Sequence, residues 1–502
     1  MNIVNSLESA FKLNEKRNAF CINDTFYTYN EVLSRVLKIR KIIVKKISEE
    51  ETHIGLVANN DIETYTTIFA LWMEGKAYIP INPTAPVARN KEILNLISVK
   101  FVFDSSIKTN LPSFNVLNVN DDTDLSTVKL SALNIIKSKT AYVLFTSGST
   151  GKPKGIPISF KNLNTLFTEL ALDNEYKLNA SDRCLQMYDL TFDASLTALL
   201  PALLVGACVY TVPANTIKYL SVFKLLDKYK LTVLKMVPSI VYYLRPYFSE
   251  INAPWVRYSI FGGEKLFVDV VEEWSKCIPN GTILNHYGPT EFTVCSHYYK
   301  FDKNFDKSHN GVVSIGKPFK NIDCLLLDKD GNVIENNVEG ELCLSGGQQT
   351  SGYWKNNELN KSSFFKHTNK LGELKQFYKT GDLCFRDDDG FYMYVGRKDF
   401  QVKIGGYRIE LGEIEYHIRK HQSTNLKNSL VLNIKNDNNN DELVLVIEST
   451  KFNTTNLIKY LNSKLADYMV PKRVFFINNL PHNKNGKVDR NQLRNLIINN
   501  NE

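Results

Sequence analysis

Ten consecutive residues, Thr146-Ser-Gly-Ser-Thr-Gly-Lys-Pro-Lys-Gly155, combine three glycines with Ser and Thr hydroxyls and the charged Lys152 and Lys154. Glycines let a backbone approach a ligand closely, hydroxyls and amides donate hydrogen bonds, and two cations offset negative charge. That chemistry suits a phosphate. The apolar run Ala141–Phe145 before the loop reads as a buried strand. Ser159 after it is a good N-cap for the helical pattern Phe160–Leu170. Strand, loop and helix in that order present successive backbone N–H groups to an anion, and a solvated Gly/Ser linker rarely sits so tightly between two elements. The loop is not a Walker A motif, because no Gly-Lys-Ser/Thr stands at the required spacing. A second unusual residue is Lys235, inside the apolar run Leu231–Val237, where strand alternation puts it beside Val233 and Val237. A lysine there either meets an anionic or polar partner or snorkels to water from the strand end.

The elements that must position these groups follow an α/β pattern. Short apolar strands at Ile54–Ala58, Ala77–Ile81, Phe101–Phe103, Ala141–Phe145, Cys208–Val212 and Thr232–Val237 alternate with helical segments such as Tyr65–Glu74 and Ala194–Leu204. From Val312 strands dominate, punctuated by Lys329-Asp-Gly-Asn332, Asn337-Val-Glu-Gly340 and Asp387-Asp-Asp-Gly390, which predicts a β-rich subdomain. After Gly396-Arg-Lys-Asp-Phe400 the pattern becomes that of a small α+β domain. It runs through the helix Leu411–Lys420, strands Ser429–Ile434 and Leu443–Glu448, the helix Thr455–Leu465 and the strand Arg473–Ile477.

At 502 residues the chain exceeds one core, and 43% apolar with 23% charged residues is ordinary for a globular protein. The net charge of +8 is spread along the chain rather than clustered with aromatics, so no nucleic-acid partner is expected. Eight cysteines without a Cys-x-x-Cys pair argue against a zinc site or a disulfide framework and for a reducing compartment. The N-terminus has no signal-peptide pattern. The longest apolar run, Ala198–Tyr210, is too short to span a bilayer and holds Pro201 and Gly206. A cytoplasmic protein without a membrane partner is the expectation.

Further segments sharpen this. Tyr287-Gly-Pro-Thr-Glu291, Gly340-Glu-Leu-Cys-Leu-Ser-Gly346, Tyr378-Lys-Thr-Gly-Asp382, Gly396-Arg-Lys-Asp399, Gln401-Val-Lys-Ile-Gly-Gly-Tyr-Arg-Ile-Glu410 and Asn485-Gly-Lys-Val-Asp489 follow the loop in that order. In order and spacing, over nearly its whole length, the chain resembles the adenylate-forming superfamily, and within it the adenylation domains of nonribosomal peptide synthetases. The resemblance implies a large N-terminal core, residues 1–398, of two α/β subdomains and a β-rich subdomain, and a small mobile α+β domain, residues 399–502, hinged at Asp399. It implies two steps: a carboxylate attacks the α-phosphorus of ATP, and a phosphopantetheine thiol of a carrier protein then displaces AMP. By the same resemblance Thr146, Ser147, Gly148, Ser149, Thr150, Gly151 and Lys154 cradle the β- and γ-phosphates, Thr290 meets the α-phosphate and Glu291 holds Mg²⁺. Tyr287 stacks on adenine, with Asn285, His286, Gly288, Gly262, Gly263 and Glu264 around it. Asp382 takes the ribose hydroxyls with help from Arg397, and Lys487 bridges carboxylate and α-phosphate. Without the motif, Asp382 is a turn residue after Gly381 and Lys487 a solvated lysine. Gly405 departs from the family, which usually has Arg or His there.

The resemblance also assigns an amino-acid pocket to Asp193, Ala194, Thr197, Lys235, Ser259, Phe261, His286, Val294, Cys295 and Lys487. Asp193 would face the substrate ammonium, its alternative being a simple cap of the helix Ala194–Leu204. Thr197, Lys235 and His286 resemble the pockets of aspartate- and asparagine-activating domains, whereas Phe261 stands where those usually have glycine. The expected substrate is L-aspartate or a similar small polar or acidic amino acid. A D-alanine–carrier protein ligase and an acyl- or aryl-CoA ligase are the alternatives. Only fifteen residues follow Lys487 and no carrier motif is among them, so a stand-alone ligase serving a separate carrier protein is expected.

Overall fold

The computed structural model describes residues 2–106, 111–119, 124–133, 139–146, 152–172, 176–214, 216–304, 307–369, 372–421, 429–436, 440–481 and 488–499. They fall into two units. One comprises Met1–Pro83, Leu94–Leu144 and Gly155–Lys398, the other Thr84–Ile93, Phe145–Lys154 and Asp399–Glu502.

The first unit is built round a nine-stranded sheet. From one edge its strands are Lys317–Pro318, His297–Lys300, Thr282–Tyr287, Tyr258–Gly262, Val233–Met236, Arg183–Gln186, Cys208–Thr211, Asn18–Ile22 and Thr25–Thr28. Its middle strands pair in parallel and are buried on both sides, as parallel sheets require. One face packs Val233, Ile260 and Leu284 against Leu196, Leu199 and Leu200 of the helix Ala194–Leu204. The other packs Leu234, Met236, Phe261 and Ile283 against Val271 and Trp274 of the helix Val268–Cys277. Strand alternation assigns every residue of these strands to one core or the other. A five-stranded antiparallel sheet pairs Leu374–Arg386 with Gly340–Gly346, Tyr392–Arg397 and Phe364–Thr368, and Ile322–Leu327 lies beyond Gly340–Gly346. The β-rich subdomain is thus present where the turn signals put it.

A six-stranded sheet runs Asn115–Leu117, Phe101–Phe103, His53–Val57, Ala77–Ile81, Thr140–Thr146 and Lys154–Ser159. Its last strand corrects the sequence reading. The glycine-rich loop joins two neighbouring strands, and the helix Phe160–Leu172 begins only after the second. β-branched Ile156 and Ile158, both fully buried, drive that extra strand. Ser159 does cap the helix, its hydroxyl accepting from the Asn162 amide at 3.2 Å while Asn162 accepts from the Ser159 amide at 2.9 Å. A helix N-terminus therefore does not follow the loop directly.

The second unit carries the predicted α+β pattern: the helix Leu411–Lys420, the strands Ser429–Lys435, Asp441–Glu448 and Arg473–Ile477 in one sheet, and the helix Thr455–Asn462. Ile414, Ile418, Leu445, Leu457 and Leu461 form its core. Gly405 and Gly406 join the strands Gln401–Ile404 and Tyr407–Glu410 with φ of 59° and 84°. A two-residue hairpin turn with both φ positive favours glycine, so the departure at Gly405 has a local backbone reason.

Candidate active site

The strand Thr282–Tyr287 delivers Tyr287 to a buried carboxylate, that of Asp382. Its phenol donates to Asp382 Oδ2, while Arg397 Nη1 donates to Asp382 Oδ1 at 2.8 Å. Asp382 and Arg397 are register partners on adjacent strands, which is why two residues fifteen apart meet. The Tyr287 ring is flanked edge-on by His297, with centroids 5.7 Å apart. Burial drives the His297 imidazole down to about 3, so this wall is neutral at physiological pH. A fixed aromatic ring beside a buried, cation-paired carboxylate can stack a flat heterocycle and accept hydrogen bonds from vicinal hydroxyls.

Immediately after Tyr287 the chain turns through Gly288 and Pro289 into the 3₁₀ turn Thr290–Phe292. A Cβ at Gly288 would lie 2.5 Å from Cys295 Cα, so only glycine allows this close approach. Glu291 is fully buried and accepts from the Tyr353 hydroxyl at 2.7 Å. Thr293 and Val294 both have positive φ, 53° and 70°. That conformation is an outlier for β-branched residues, and Cys295 N donating to Thr293 O at 2.9 Å closes a strained three-residue turn. Gln348 braces it: its side-chain nitrogen donates to Cys295 O at 2.6 Å, and its backbone carbonyl accepts from Thr293 Oγ1 at 2.5 Å.

Lys235, Ile260 and Leu284 stand in register across three parallel strands, and Gly262 and His286 are the next register pair on the same face. Ser259 and Phe261, assigned to the pocket from sequence, lie on the opposite face. Ser259 Oγ accepts from Trp274 Nε1 at 3.0 Å, and Phe261 joins the Trp274 core. The pleat therefore puts Ile260 and Gly262, rather than Ser259 and Phe261, on the face of Lys235 and His286. Phe261, read from the sequence as a departure, lies off that face, and Gly262 lies on it. A Cβ at Gly262 would come within 3.0 Å of His286 O. Val237, expected beside Lys235, instead caps the helix Pro238–Leu244 and belongs to the other core.

Lys235 is 5% exposed. Burial lowers its ammonium to about 8, held up by the electrostatic influence of Cys295 and Asp193. His286 is also buried, and neither ring nitrogen has a hydrogen-bond partner among the described residues. Burial first and the Lys235 charge second push its imidazole well down, so it is neutral at pH 7. Asp193, 5% exposed, precedes the helix Ala194–Leu204 without making a side-chain capping hydrogen bond. Thr197, one turn on, donates to Ala194 O at 3.0 Å. The face thus gathers a carboxylate, an ammonium and an imidazole with open nitrogens.

Other expected residues are engaged locally. Asn285 donates to Ser314 O at 2.9 Å, and Glu264 accepts from the Ser239 amide at 2.9 Å. Gly263 has φ of 89° and turns the chain after the strand. In the second unit Lys154 pairs with Glu410 at 3.0 Å, and Asp399 accepts from the Gln401 amide at 3.1 Å. Thr146 ends its strand half-buried. Ser147, Gly148, Ser149, Thr150, Gly151 and Lys487 lie outside the described residues.

The sequence model of the AMP-binding enzyme family matches residues 7–354. The chain belongs to the AMP-binding enzymes. Gramicidin S synthase 2 of Brevibacillus brevis is 31% identical over 497 residues, 96% of this AMP-binding enzyme and 11% of that protein. Gramicidin S synthase 1 of Brevibacillus brevis is 29% identical over 94% of the chain and 42% of its own length. The chain thus spans less than half of these relatives. The crystal structure of the Vibrio cholerae adenylation domain AlmE, in complex with glycyl-adenosine-5′-phosphate, superposes with a TM-score of 0.84 at 25% identity, covering 99% of this chain and 98% of that one. This AMP-binding enzyme has the fold of an adenylation domain.

Proposed function

We propose that this enzyme activates a small acidic amino acid, L-aspartate first, as its aminoacyl-adenylate and passes it to the phosphopantetheine thiol of a carrier protein. The observation that carries the substrate choice is the single sheet face on which buried Lys235 and His286 meet, with the Asp193 carboxylate exerting its field on Lys235. An α-ammonium suits Asp193, and a side-chain carboxylate suits Lys235 with a neutral imidazole donating beside it. Both are charge-assisted contacts in a desolvated site, where an unpaired group is penalised. A D-alanine substrate would leave Lys235 buried without its anion.

For the nucleotide, Tyr287 takes the adenine, Asp382 with Arg397 the ribose hydroxyls and Thr290 the α-phosphate. Among the described residues no group of three or more His, Cys, Asp or Glu could hold a metal ion, and Glu291 would offer one carboxylate. That fits Mg²⁺, which binds through one or two carboxylates and keeps phosphate oxygens and waters as its other ligands. Bound there, the ion would neutralise charge on the phosphates. Lys487 supplies the cation between the attacking carboxylate and the α-phosphorus. Lys487→Ala is expected to lower adenylation by about 10²- to 10³-fold with the fold intact.

Amino-acid-dependent ATP–pyrophosphate exchange across the proteinogenic amino acids and D-alanine tests this reading. L-aspartate should give the highest kcat/KM. Preference for alanine or large aliphatic residues would overturn the substrate choice, and exchange with no amino acid at all would overturn the activity.

A further inference from the structure

One segment, Gln348–Trp354, holds the loop that carries Glu291 at Glu291, Thr293 and Cys295. Gln348 grips the strained Thr293–Cys295 turn from both ends. The Thr350 amide donates to Glu291 O at 2.8 Å and its hydroxyl to Pro157 O at 2.6 Å. The Tyr353 hydroxyl donates to Glu291 Oε1 at 2.7 Å and stands 3.4 Å from that of Tyr378. The Trp354 amide donates to Gly155 O at 2.8 Å. The strap therefore ties the Glu291 loop to Gly155, the last residue of the glycine-rich segment, and to Pro157, both in the strand Lys154–Ser159. Tyr353 is itself fixed: Asn360 accepts from its amide at 2.7 Å and donates to its carbonyl at 3.2 Å. Its ring is 6% exposed and packs on Phe364.

We infer that Tyr353 is a positioning residue that aims the Glu291 carboxylate at Mg²⁺, and that the Gln348–Trp354 strap holds this carboxylate in register with the strand leaving the phosphate loop. The inference rests on reading Glu291 as the metal carboxylate. A carboxylate has about four lone-pair sites. With one held by a rigid phenol, the group cannot rotate freely about its last torsion, and the remaining lone pairs keep one direction. Outer contacts of this kind are worth about 10- to 100-fold in metal affinity.

The test is calorimetric binding of the unreactive analogue α,β-methylene-ATP to the full chain, across a Mg²⁺ series and in EDTA. Tyr353→Phe keeps the ring and removes only the hydroxyl. It should raise the Mg²⁺ concentration for half-maximal binding by about tenfold, while leaving binding in EDTA and the unliganded Tm near wild type. Asn360→Ala, which loosens the Tyr353 backbone without touching Glu291, should shift the Mg²⁺ dependence the same way by a smaller factor. Wild-type Mg²⁺ dependence in Tyr353→Phe overturns the inference, as does equal weakening with and without Mg²⁺, which marks a packing defect. Glu291→Gln separates the two levels: an unchanged Mg²⁺ dependence there removes the metal role of Glu291 itself.

Discussion

Lys235 carries the sharpest consequences at the scale of a single residue. Its folded ammonium sits at about 8 against an ordinary 10.5, because burial strips its hydration. The unfolded chain therefore binds more protons between those values, and stability rises as pH climbs through that window. Below pH 8 the buried charge costs about 3 kcal/mol relative to the exposed amine. Lys235→Met should raise Tm at pH 7 and flatten the rise in stability between pH 8 and 10.5, read by thermal melts across pH. The same substitution should lower kcat/KM for L-aspartate by about 100-fold, the scale of a lost charge-assisted hydrogen bond with a group left unpaired. In wild type, KM for aspartate should increase above pH 8 as the ammonium deprotonates. A flat KM from pH 7 to 9.5 would count against Lys235 as the substrate's partner.

Strand alternation decides at the scale of the element. Ser259 and Ile260 are neighbours in sequence but belong to different cores, one bonded to Trp274 and the other in line with Lys235. Ser259→Ala should leave the buried indole N–H unpaired and cost about 1–3 kcal/mol in chemical denaturation, with the order of preferred amino acids unchanged. Ile260→Ala should instead alter that order in the exchange assay, because it enlarges the face that holds Lys235 and His286. If Ser259→Ala changes selectivity and Ile260→Ala does not, the face assignment is wrong. Much of this was legible beforehand: the strands, the helix Ala194–Leu204 and the residues Lys235 and His286 all follow from apolar pattern and motif. The pocket register was not, since a one-residue offset in a short strand leaves its composition unchanged while exchanging its faces.

For the whole molecule, the hinge proposed at Asp399 begins the last and longest segment of the second unit, where its carboxylate accepts from the Gln401 amide. Asp399→Pro would set φ near −65° and resist a change of backbone direction. It should slow transfer to a carrier thiol more than it slows pyrophosphate exchange. Equal loss in both half-reactions would argue against a hinge there. From Leu411 to Ile477 the small unit's elements were readable to within three residues, because its amphipathic helix Leu411–Lys420 and alternating strands bury one core of their own, whereas the helix Arg490–Asn499 was not read. The strand after the glycine-rich loop was not, because a short Gly-Ile-Pro-Ile-Ser run is equally compatible with a loop leading into a helix.

By itself the sequence determined most of the elements, the kinds of chemistry present and the family, since motif spacing and apolar periodicity are local properties of the chain. Only the tertiary structure decided which residues meet. Strand register brought Arg397 to Asp382, the pleat put Ile260 and Gly262, rather than Ser259 and Phe261, on the face of Lys235 and His286, and the strap from Gln348 to Trp354 placed a phenol on Glu291 across sixty-two residues of chain. Contacts between distant segments depend on how sheets pair and layers close, and no local pattern records that.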